Sequence, residues 1–127
     1  MRFAVALLAF VLLSGCAAPV DRSRADCEAG ETPAAGAVFF GRVIENLSQD
    51  VGPPLEDAYV WTELNETMRF HAFTDEYGCY RLVVPYSGTW WIWAELPEYD
   101  SESAVRLVAD GQSLALDFTL EKHVDPT

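Results

Sequence analysis

"GTWWIWAEL", residues 88–96, gathers three of the chain's four tryptophans within four positions. The stretch keeps no helical period, opens on a glycine and stops at Pro97, so it reads as a β-strand. A strand has two faces, and a small core takes one bulky indole from such a run more readily than three. Deciding which tryptophans point inward therefore decides how the whole chain is laid out.

Six other runs share the same short, two-fold pattern. With residues 89–96 they make seven: 37–44 (AVFFGRVI), 58–64 (AYVWTEL), 67–74 (TMRFHAFT), 79–84 (CYRLVV), 104–109 (AVRLVA) and 113–120 (SLALDFTL). Turn residues separate them. Asn65-Glu66 suits a tight hairpin, and Asp75 to Gly78 suits a turn with an Asx start and a glycine able to take positive φ. Pro53-Pro54 predict a break in the ladder between the first two runs. Short strands at this spacing imply an all-β, seven-stranded antiparallel β-sandwich spanning residues 37–121, with 122–127 as a C-terminal tail.

The order of small motifs is specific in its own right. It runs Gly41-x-Val43, Pro54-Leu55-x-x-Ala58-x-Val60, Thr74-Asp75-x-x-Gly78-x-Tyr80-x-Leu82, Pro85-x-x-Gly88-x-Trp90-x-Ile92, and Gly111 before Leu116-x-Phe118-x-Leu120. This series resembles the carboxypeptidase regulatory-like family, whose fold is the transthyretin (prealbumin-like) β-sandwich. The chain departs from it in a long first loop, Asn46 to Asp57. The resemblance implies a domain that accompanies other proteins rather than one that performs peptidase chemistry.

Composition bounds the partners. Twenty acidic residues face eight basic ones, and Lys122 is the single lysine. Such a surface repels phosphate backbones, so nucleic acid is not an expected partner. Half of the residues are apolar, enough for one well-filled core.

The N-terminus carries an address. Arg2 precedes an unbroken apolar run from Phe3 to Leu13, too short to span a bilayer and right for a secretion signal. It ends in Leu13-Ser14-Gly15-Cys16, which resembles a bacterial lipobox. The resemblance implies a signal peptide over residues 1–15, removed once Cys16 is diacylated. Ala17 then favours the outer membrane over the inner one. Losing Arg2 leaves seven basic and 20 acidic residues, a net charge of −13. Residues 17–36 are rich in Ala, Pro, Gly and charge and read as a flexible tether with an r.m.s. span of about 25 Å.

No catalytic set assembles. The two histidines, His71 and His123, lack HxxE or HExxH spacing, and there is no Gly-x-Ser-x-Gly elbow. Nor does the C-terminal "EKHVDPT" match the Tyr-Arg-Gly-Ser ending of transthyretin-like hydroxyisourate hydrolases. Glu98, Asp100 and Glu102 share a loop but lack the spacing and central glycine of a calcium loop. No catalytic residue, metal or cofactor is expected. With Cys16 lipidated, Cys27 and Cys79 remain as a pair for an oxidising compartment, either bridged across a separation of 52 or left as two thiols.

The family pattern points Trp90, Ile92 and Ala94 into the core, as it does Ala58, Val60 and Thr62. It also sets the two strands side by side. Tyr59, Trp61, Trp91 and Trp93 would then form one outward aromatic face, with Phe73 at its margin and His71 solvated. Three occupants suit such a face: the tether folded back on it, a protein of the envelope, or a glycan stacked on the rings.

Overall fold

The computed structural model describes residues 26–47 and 50–123. Among them lie β1 (Ala37–Leu47), β2 (Asp50–Pro54), β3 (Tyr59–Asn65), β4 (Met68–Phe73), β5 (Cys79–Val84), β6 (Gly88–Glu95), β7 (Glu102–Val108), β8 (Gln112–Ala115) and β9 (Phe118–Leu120). They form a five-stranded sheet built on β1 and a four-stranded sheet in the order β4-β3-β6-β7. The two sheets enclose one core, so the fold is an all-β sandwich.

The long strand β1 organises the first sheet. It pairs antiparallel with β5 through Ala37 to Arg42 and with β2 through Ile44 to Leu47. Its other edge takes β8 and β9, both parallel to it. Two features correct the sequence expectation. The run 113–120 is broken at Leu116-Asp117 into two strands, where Asp117 Oδ1 accepts from Arg42 N at 2.8 Å and Phe40 O from Leu116 N at 2.8 Å. The Pro53-Pro54 segment, expected to interrupt the ladder, itself ends a strand. It is tolerated because β2 lies at the sheet's edge and pairs across a bulge between Ile44 and Asn46. Gly52 is required there, since a Cβ would stand 1.9 Å from Glu45 O.

The core is filled by alternate residues from both sheets. Phe39 and Val43 of β1, with Tyr80, Leu82 and Val84 of β5, meet Val60 of β3 and Trp90, Ile92 and Ala94 of β6. The polar ends of the core side chains are paired, as a low-dielectric interior demands. Trp90 Nε1 donates to Tyr86 O at 3.0 Å, Thr62 Oγ1 to Trp91 O at 2.7 Å, and Tyr80 Oη to Leu116 O at 2.5 Å. Burial raises the Tyr80 phenol well above its ordinary pKa, so it stays a donor. Both expected turns form. Asn65 Oδ1 accepts from Thr67 N at 2.8 Å and Met68 N at 3.1 Å, while Asp75 Oδ1 accepts from Tyr77 N at 2.9 Å and Cys79 N at 3.0 Å. Gly78 follows at φ 77°.

Residues 26–36, expected to be free tether, instead lie along the outer face of the first sheet. Cys27 and Cys79 are bridged, with Cα atoms 5.3 Å apart. Beyond the bridge, the Arg81 guanidinium donates to Ala29 O and Glu31 O, Thr32 Oγ1 meets Ser113 Oγ at 2.8 Å, and Gly36 N donates to Asp110 Oδ1 at 2.9 Å. Arg81 and Ser113 flank β1, so the segment crosses above Val38. That explains why Val38, on the side of β1 turned away from the core cluster, is nevertheless fully buried.

Candidate interaction face

The outer side of the four-stranded sheet has a different character. Alternation turns Arg69, His71 and Phe73 of β4 outward, with Tyr59, Trp61 and Glu63 of β3, Trp91, Trp93 and Glu95 of β6, and Val105 and Leu107 of β7. Tyr59, Trp61, Trp91 and Trp93 therefore share one face, and Phe73 lies at its margin. The segment that covers the first sheet begins beside this margin: Asp26, Cys27 and Glu28 line a groove with Phe73, Asp75 and Tyr77.

The rings do not lie flat. Trp61 pairs with Trp93 across neighbouring strands, with ring centroids 4.7 Å apart and planes 14° from parallel. Strands are themselves about 4.8 Å apart, so these indoles stand on edge and stack face to face. Trp91 continues the stack, 4.4 Å from Trp93. At the opposite end the Arg69 guanidinium sits 4.0 Å from the Trp61 ring centre and bonds Glu63 Oε1 at 2.7 Å. The Glu63 bond holds the Arg69 pKa above its ordinary value. Trp61 Nε1 donates to Glu95 Oε2 at 3.1 Å. Tyr59, His71 and Phe73 form a second ring cluster with centroids 5.2–5.7 Å apart.

This order, Arg69–Trp61–Trp93–Trp91, occupies both flat faces of Trp61 and Trp93. Trp91, at the end of the stack, is 53% exposed. Sequence reasoning places the four aromatics but misses Arg69, whose parity with His71 and Phe73 was legible. It also misses Val105 and Leu107, which share the outward parity of Trp91 once β7 is set beside β6.

The remaining predicted positions fall as follows. His71 is exposed on the outer face, and His123 Nδ1 lies 3.0 Å from Asp100 Oδ1. Tyr99 Oη donates to Glu45 Oε1 at 2.5 Å, a bond to a carboxylate that pushes the phenol up to about 12. Among the described residues no group of three or more His, Cys, Asp or Glu could hold a metal ion. Cys16 lies outside the described residues.

No protein-family model matches the chain, and no curated protein does. Solved structures are similar in fold. A minor pilin of Streptococcus agalactiae aligns over 76% of this chain and 48% of its own length, at 12% identity and a TM-score of 0.57. The chain thus spans about half of that pilin. A candidate carbohydrate-binding protein of Pseudomonas aeruginosa aligns over 72% of this chain and 92% of its own, at 15% identity and a TM-score of 0.53. A 3-chlorocatechol 1,2-dioxygenase of Rhodococcus opacus reaches a TM-score of 0.50 at 16% identity, over 77% of this chain and 64% of its own. At such identities the likeness shows a shared β-sandwich and nothing finer.

Proposed function

We propose that the chain is a lipid-anchored, non-catalytic β-sandwich of the bacterial cell envelope, outer membrane by its Ala17, that docks a protein through the outer face of its four-stranded sheet. The carrying observation is the asymmetry of the two outer faces. Residues 26–36 cover Val38 on one sheet, while Phe73, Trp91, Val105 and Leu107 stand exposed on the other. Monomeric domains rarely leave contiguous apolar surface uncovered without a use for it. The similarity to a pilin and to a candidate carbohydrate-binding protein fits a surface module of this kind.

A photocrosslinkable residue at position 105 in intact cells should give a discrete protein adduct. The same residue at position 83, on the outer side of the first sheet, should not. Equal adducts from both positions, or none from 105, would reject the docking face. The anchor is tested separately by intact mass of the native protein, which should begin at a diacylated Cys16. A chain retaining residues 1–15 rejects it.

A second reading draws on one feature, the exposed indole of Trp91 at the end of the stack. A sugar ring could stack there, and the fold likeness to candidate carbohydrate-binding proteins supports it. On that reading Trp91→Ala removes oligosaccharide retention, and crosslinking at position 105 yields no protein.

A further inference from the structure

We infer that the contact centres on a ledge formed by Trp91, Val105 and Leu107, and that its partner is a protein surface with an apolar centre ringed by lysine or arginine. This rests on the docking reading above and adds where the contact lies and what chemistry it takes. Trp91 is cross-strand partner of Val105, and Thr89 of Leu107. The three ledge side chains are thus neighbours on β6 and β7, exposed by 53%, 53% and 72% respectively. Trp61 and Trp93 offer only ring edges, because their faces are spent on each other, on Arg69 and on Trp91. A partner gains most by covering the ledge at the end of the stack rather than its middle.

Charge selects among partners. The same face carries Glu63 and Glu95, whereas Glu102, opposite Ala94, is on the inward parity of β7. Arg69, the outward cation of this face, pairs with Glu63, so the two cancel and Glu95 sets the sign of the face. Arg106 lies on the inward parity of β7 and turns its Nη1 to Val105 O at 2.9 Å. A second copy would bring the same Glu95, on a chain of formal net charge −12, to an identical ledge. Like-charge contact opposes that pairing, whereas a basic rim is attracted and oriented by it.

The test uses two amphipathic peptides of identical leucine pattern, one filled with lysine and one with glutamate, titrated calorimetrically into the native protein. The lysine peptide should bind and weaken as salt is added, and the glutamate peptide should not bind. Trp91→Ala with Leu107→Ser keeps the charge and should weaken the lysine peptide roughly tenfold or more, about 1.4 kcal/mol per decade. Val83→Ser, on the other sheet, should leave binding unchanged. Binding of neither peptide, equal binding of both, or a double variant that binds like the parent overturns the inference. Crosslinking from position 105 would still succeed with an acidic partner, so failure here is distinct from failure of the docking reading.

Discussion

Trp90→Ala is expected to destabilise the domain by about 3–5 kcal/mol, while Trp91→Ala, one position along, costs about 1 kcal/mol. The two indoles differ only in which side of β6 they occupy. Trp90 is buried in the core, edge-on to Phe70 with ring centroids 6.1 Å apart, and its Nε1 holds Tyr86 O. Truncation opens a cavity between the sheets and removes the donor to that carbonyl. Trp91 loses one stacked neighbour and leaves water where water already stood. Trp93→Ala should fall between, at about 2 kcal/mol, since it forfeits stacking on both sides. Urea unfolding of the three variants beside the parent checks the order. A Trp91 variant as unstable as the Trp90 variant would mean that the outer face is covered in the native protein, and the docking ledge would be lost with it.

That order was legible in the sequence because period-two alternation admits only two registers. With Ile92 and Ala94 inside, Trp91 and Trp93 had to face out. The Asp75 to Gly78 turn was equally legible, since an Asx start and a positive-φ glycine are local requirements. What escaped were features set by long-range pairing. Whether Pro53-Pro54 end a strand depends on β2 lying at an edge, which no local pattern records. The parallel docking of β8 and β9 depends on β1 leaving one side open along its whole length. The upright stacking of Trp61 on Trp93 follows from their pairing across β3 and β6, and it changes a flat platform into a stack of ring edges with Trp91 at its end. Residues 26–36 carry no apolar period because they pack through backbone carbonyls accepting from Arg81, and carbonyls are common to every residue.

Reduction of the Cys27–Cys79 bridge should lower stability by about 4 kcal/mol, the loop-closure value for a separation of 52 residues, and the melting temperature by on the order of 15–30 °C. The bridge cross-links the start of the covering segment to β5, and it closes a loop containing β1 to β4. Freed from it, the unfolded chain gains conformations that the folded chain does not. The remaining contacts to Arg81, Ser113 and Asp110 are exposed or part-buried hydrogen bonds, each worth about 1 kcal/mol at most. They hold the segment over Val38 in the reduced protein only while the sandwich itself stays folded. Cys27→Ser with Cys79→Ser should match the reduced parent, because both remove the same constraint. Melts with and without reductant, run on the parent and the double variant, make the comparison. If reduction leaves the melting temperature unchanged, the segment is held by its carbonyls and Val38 alone, and the bridge adds nothing to the fold.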